Sequence, residues 1–180
     1  MLKKILIGVV VLVVLGAAVI FYFDNKNHKL SPPGRTELTV GDLTISIPYS
    51  RPSVRGRLVF GTKEEKALQP YGEYWRLGAN ESTEITFSRD VMFNGQPVKK
   101  GTYRTYAIPG PQEFDIVLNT ELEKWGAFEP DHSLDLLTTK VPVQKLNTPV
   151  EQYTIVLEEV TGGMQIVFTW SDTKFVVPVQ

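Results

Sequence analysis

The sequence predicts an all-β fold, an antiparallel β-sandwich of jelly-roll-like or partly open barrel form, preceded by one N-terminal transmembrane helix. Three observations lead there. An uncharged run, Ile5 to Phe23, stands apart from the rest of the 180-residue chain. Beyond Thr36 apolar residues alternate with polar ones at period two, the mark of half-buried strands. Turn-forming residues recur roughly every ten positions, with almost no amphipathic helix between them.

The N-terminal element comes first. At a rise of 1.5 Å per residue, a helix over Ile5 to Phe23 is about 28 Å long, close to the hydrocarbon thickness of a bilayer. Phe21, Tyr22 and Phe23 suit the outer interface, and Lys3 and Lys4 favour the cytoplasmic side. The expected organisation is a cytoplasmic terminus at residues 1–4, a signal-anchor helix at 5–23, a linker at 24–35 and an exported domain at 36–180. The lipid bilayer is then a partner through residues 5–23. The alternative is a cleaved signal peptide and a secreted domain, with Ile5 to Leu15 as apolar core and Gly16-Ala17-Ala18 at the cleavage site. Cleavage would leave Val19 to Phe23 exposed at a mature terminus, which favours the anchor.

The strands follow in order. Leu43, Ile45 and Ile47 alternate with Thr44 and Ser46, and Ile85 and Phe87 with Glu84 and Thr86. Thr102 to Ile108, Phe114 to Asn119, Leu134 to Val143, Gln152 to Glu159, Met164 to Trp170 and Lys174 to Val179 read the same way. Asn94-Gly95, Pro109-Gly110-Pro111 and Thr161-Gly162-Gly163 supply turns. Lys63 to Leu68 has room for one helical turn. No internal repeat or second domain is visible.

Charge and composition exclude several functions. The first 29 residues hold four lysines against Asp24 alone, so the remainder carries 15 basic and 19 acidic side chains. A mildly acidic domain lacks the basic face that phosphate neutralisation needs, so nucleic acid is not an expected partner. The absence of cysteine excludes disulfides, thiolate metal sites and a lipidated cysteine. No P-loop, G-x-S-x-G, H-E-x-x-H or G-x-G-x-x-G motif occurs, and nothing implies a cofactor.

His132 is the one histidine of the domain. With Asp131 and Asp135 it offers an imidazole and two carboxylates, candidate ligands for a divalent metal, although a lone loop histidine is usually solvated. A serine triad would need His132 and a serine that no motif identifies. For a hydrolase of an envelope carbohydrate or ester, Glu81 or Asp135 is the candidate general acid or base, with His132 beside them.

The stretch from Pro48 to Thr83 differs in kind. It holds Arg51, Arg55, Arg57 and Arg76, four of the chain's seven arginines, together with Tyr49, Tyr71, Tyr74 and Trp75. Arginine suits bidentate binding of carboxylate or phosphate, and aromatic rings pack on sugars. An extended Tyr74 to Asn80 would turn Tyr74, Arg76, Gly78 and Asn80 one way and Trp75, Leu77 and Ala79 the other. The plainer reading pairs the arginines with Glu73, Glu81, Glu84 and carbonyl oxygens to hold an irregular region together.

Tyr49-Ser50-Arg51-Pro52-Ser53, Gly56-Arg57, Phe60-Gly61, Pro70-Tyr71-Gly72, and Trp75-Arg76 followed by Gly78-Ala79-Asn80-Glu81 and Thr83 form a set of motifs. Gly101-Thr102-Tyr103 and Ile108-Pro109 extend it. The set resembles the bacterial family called domain of unknown function 2911, over about Leu38 to Val179. The resemblance implies an exported bacterial all-β domain, periplasmic or extracytoplasmic, and brings no reaction with it. Phe114 stands where the family often has tryptophan, so the aromatic is kept and the indole N–H is not. The motifs point to Arg51, Arg57, Trp75, Arg76, Asn80, Glu81 and Thr83 as the candidate site.

The expected function is a noncatalytic binding or envelope-interaction module. Arg51, Arg57 and Arg76 would hold an anionic small molecule or a cell-envelope glycan, with Trp75 and Tyr49 as packing surfaces. The alternatives are the hydrolase above and a structural domain that recruits a protein partner through a strand edge.

Overall fold

The computed structural model describes residues 2–180. Helix α1 (Leu2–Leu30) continues past the apolar run, because Asp24 to Lys29 are polar but helix-compatible and His28 Nδ1 lies 3.4 Å from Asp24 Oδ1 one turn earlier. Pro32 and Pro33 stop it. The helix is long and apolar enough to cross a membrane, as an anchor or a signal sequence would be. Strand β1 (Pro33–Val40) begins almost at once, so of the expected linker at 24–35 only Ser31 and Pro32 lie outside regular structure.

The remaining strands are β2 (Leu43–Ser50), β3 (Phe60–Gly61), β4 (Gln69–Pro70), β5 (Thr83–Phe87), β6 (Val91–Phe93), β7 (Gln96–Val98), β8 (Gly101–Ile108), β9 (Glu113–Asn119), β10 (Asp135–Pro142), β11 (Gln144–Val160) and β12 (Gly163–Val179). One antiparallel sheet has the order β1-β2-β5-β8-β9-β10, and the other β11-β12-β6-β7. The short pair β3-β4 is parallel. The sheets do not close into a barrel, so the sandwich is the correct form of the expected all-β fold. The two strands expected at Met164 to Trp170 and Lys174 to Val179 are one strand, bent at Ser171 with φ 54°. Lys63 to Leu68 forms tight turns instead of a helical turn, with Lys66 N–H donating to the Lys63 carbonyl at 3.0 Å.

Inward residues of both sheets meet in an aromatic layer. Trp75 and Trp170 stack at 5.8 Å, Phe60 lies edge-on to both, and Phe168 stacks on Phe175 at 4.6 Å. Without disulfides, this packing holds the sandwich together. On the opposite face of β8, Arg104 and Tyr106 lie under the long connection from β9 to β10.

Candidate functional site

The site begins where the chain leaves the core. Trp75 exchanges two main-chain hydrogen bonds of 2.8 Å with Ala107 of β8, which points its indole inward and Arg76 outward. The expected alternation holds from Tyr74 to Leu77, both Trp75 and Leu77 being buried. It then fails, because Leu77 (φ 51°), Gly78 (φ 158°) and Asn80 (φ 58°) turn the chain sharply. Gly78 fits since a Cβ there would come within 2.9 Å of the Ser50 carbonyl. Thr83, fully buried, donates its hydroxyl to the Leu77 carbonyl at 2.8 Å and braces the bend. Asn80 Nδ2 donates to the Ser31 carbonyl at 3.1 Å, tying the bend to the end of α1.

The bend gathers Arg57, Arg76 and Asn80 around one cleft of about 300 Å³, with Asn27 and Ser31 from the helix–strand joint and Trp125 from the β9–β10 connection. Arg57 donates through Nε to the Val54 carbonyl (3.0 Å) and through Nη2 to that of Ser53 (2.6 Å). Arg76 donates through Nη1 to the Asn80 carbonyl at 3.2 Å. Its stem lies against Gly126, where a Cβ would meet Arg76 Cδ at 2.6 Å. Burial lowers the Arg76 pKa, but a guanidinium remains charged at neutral pH.

The expected pairing of these arginines with glutamates is not what forms. Glu73 binds Lys63 at 3.2 Å, Glu81 binds His28 at 2.8 Å, and Glu84 accepts the Glu123 N–H at 2.7 Å. Among the described residues no carboxylate is ion-paired with Arg51, Arg55, Arg57 or Arg76. Main-chain carbonyls take their place for Arg55, Arg57 and Arg76, while the buried Nε of Arg51 has no partner.

The other candidates are dispersed. Tyr49 is buried and accepts the Ile155 N–H at 3.1 Å, joining the two sheets. The stem of Arg51 packs over Gly34 of β1. Trp75 is 1% exposed and belongs to the core. The aromatic wall is instead Trp125, which also borders a second cleft of about 480 Å³ lined by Glu81, Glu84, Glu123 and Lys124. Sequence reasoning missed Trp125 because it sits in a stretch without periodicity. Its neighbour Gly126 was the available signal, as a place where another chain segment approaches closely.

A separate polar cluster fills the space beneath the β9–β10 connection. Arg104 is wholly buried and donates to Tyr74 Oη at 2.7 Å, to the Phe128 carbonyl and to Glu121 Oε2 at 3.4 Å. Tyr106 donates to Asp135 Oδ2 at 2.8 Å, and Asn119 Nδ2 donates to Asp135 Oδ1 at 2.8 Å. Burial and the Asp135 carboxylate push the Tyr106 hydroxyl well up, so it stays a donor. His132 Nδ1 lies 2.9 Å from Tyr106 Oη and 3.2 Å from Asp135 Oδ2. Asp131 turns instead to Ser133, whose hydroxyl (2.7 Å) and N–H (2.9 Å) hold its pKa down. Asp131 and Asp135 are thus each engaged within the chain, and Glu81 lies in another cluster.

Among the described residues, the one group of three or more histidine and carboxylate side chains with ligand atoms all within 4.8 Å is Asp24, His28 and Glu81. His28 meets Asp24 with Nδ1 and Glu81 with Nε2, opposite sides of the ring, so the group latches the helix to the domain rather than converging on one point.

A family model described as a protein of unknown function, DUF2911, matches residues 31–179. The searches of curated proteins and of solved structures give no match.

Proposed function

We propose that this chain, which belongs to the DUF2911 family, is a membrane-anchored bacterial domain outside the cytoplasm that binds an anionic or acidic-carbohydrate ligand between Arg57 and Arg76. The observation that supports this most is that two guanidinium groups share one cleft with no carboxylate to neutralise them. Nε and Nη2 of Arg76 and Nη1 of Arg57 have no partner among the described residues, which leaves donors for a carboxylate or phosphate. Trp125 offers a flat wall for a sugar ring or an alkyl chain.

The test is a thermal-shift and calorimetric screen of acidic sugars and phosphate esters against the wild type and Arg76→Ala. An anion should raise the wild-type Tm, and Arg76→Ala should weaken binding roughly tenfold or more, the loss of one charge-assisted contact. The reading fails if no anion stabilises the wild type and both Arg57→Ala and Arg76→Ala unfold the domain.

A further inference from the structure

Resting on that reading, we infer that the anion entering the Arg57–Arg76 cleft is the phosphate of an anionic lipid headgroup in the bilayer that holds α1. The cleft is built partly from the membrane helix itself, through Asn27 and, just beyond its end, Ser31. Asn27 stands four residues past Phe23, the end of the apolar run, and so about 6 Å further along the helix axis. One headgroup layer is roughly 5–7 Å deep, from a total thickness of about 40–45 Å around a core of about 30 Å. The edge of the cleft at Asn27 therefore stands at the height of the lipid phosphates, and the cleft extends outward from there to Ser31. Trp125 lines the same cleft, and indole rings favour membrane interfaces.

Three contacts set that height. Arg55 Nη2 donates to the Leu30 carbonyl at 2.6 Å, Asn80 Nδ2 to the Ser31 carbonyl at 3.1 Å, and His28 Nε2 lies 2.8 Å from Glu81 Oε1. Diffuse attraction is not the driving force, because the part of the chain beyond Phe23, Lys26 and Lys29 included, carries 17 basic against 20 acidic side chains. Recognition must be local. A phosphodiester presents two unesterified oxygens and one charge, which the free guanidinium donors match.

The experiment uses the full chain in nanodiscs of equal phosphatidylglycerol and phosphatidylcholine, read by native mass spectrometry of retained lipid. A parallel arm titrates inorganic phosphate and glycerol 3-phosphate into the same chain in a neutral detergent. Retention of one phosphatidylglycerol, about tenfold over phosphatidylcholine and lost in Arg57→Ala/Arg76→Ala, supports the inference. Arg76→Lys, which keeps the charge and alters the fork, should retain an intermediate amount and serves if the double variant unfolds. Equal retention by wild type and variants overturns the inference as nonspecific lipid. Arg76-dependent binding of the soluble phosphates without lipid retention overturns the lipid source and leaves the anion cleft standing. Binding in neither arm overturns both.

Discussion

Arg104 and Arg76 stand close to the same tyrosine and differ in what their guanidinium groups are given. Arg104 is 0% exposed and commits both terminal nitrogens, to Tyr74, to the Phe128 carbonyl and to Glu121, while its buried Nε has no partner. Arg76, two residues after Tyr74, gives one donor to the Asn80 carbonyl and keeps the others free at a cleft. The fold's own need for a cation is met by Arg104, which fastens the β9–β10 connection over the outer face of the six-stranded sheet. That fastening places Gly126 under the stem of Arg76, whose head meets the Asn80 carbonyl and no carboxylate. An enclosed arginine with a carboxylate is a structural part, and a half-buried one without a carboxylate has the form of a binding group.

The contrast can be broken most forcefully at Arg104. Arg104→Met takes away three charge-assisted hydrogen bonds in a buried site, although Tyr74 still donates to the Gly126 carbonyl and Glu121 still pairs with Lys124, and should cost about 3–5 kcal/mol. For a chain of this size that lowers Tm by roughly 6–20 °C in calorimetry. An unchanged Tm would erase the distinction between the two arginines. Next comes Arg76→Ala, expected to move Tm by no more than a few degrees while weakening anion binding roughly tenfold. A Tm drop matching that of Arg104→Met would make Arg76 structural too.

A smaller effect is expected at Trp125. Trp125→Ala should reduce affinity about three- to tenfold, from the loss of one aromatic contact. Trp75 and Trp170 are buried, and Trp170 borders the same cleft from the core side, so ligand-induced changes in tryptophan emission should shrink sharply in Trp125→Phe. An undiminished change would move the ligand away from Trp125.

The smallest effect concerns the latch. The hydrogen bond with Glu81 is the main cause that raises the His28 pKa above its ordinary value. A raised folded-state pKa means that the contact stabilises fully below the ordinary histidine value, about 6.5, and is lost as pH rises through the raised one. Intrinsic-rate-corrected hydrogen exchange at Lys29 to Ser31 should therefore be slower at about pH 5.5 than at about pH 8.5. His28→Ala should remove the difference, and an equal pH dependence in that variant would refute the latch.

What the sequence made legible was set by local physics. The apolar run of α1, the period-two strands and the Gly162 turn (φ 87°) are readable because each depends on neighbours a few residues apart. The aromatic partners of Trp75 lie on β3, β9, β11 and β12, so the local alternation that set Trp75 beside Leu77 did not show that the indole was core and not a packing surface for a ligand. Arg104 was hidden for a related reason. Within Tyr103 to Ala107 it reads as an ordinary outward strand residue, and its lid arrives from a connection more than a dozen residues later. Arg57, Arg76 and Asn80 were named from their chemistry and motifs. That they share a cleft, and that Arg51 and Thr83 do not line it, depends on the positive φ angles at Leu77 and Asn80.

The two-residue joint between α1 and β1 has a mechanical consequence. A helix whose apolar length exceeds the local hydrocarbon thickness relieves the mismatch by tilting. Ser31 and Pro32 offer almost no hinge, and the latch residues bridge them, so the tilt is passed to the sandwich as a rotation. In the proposed anchored state, a thinner bilayer swings the mouth of the cleft relative to the interface, and membrane thickness becomes a variable that sets how readily the arginines are reached.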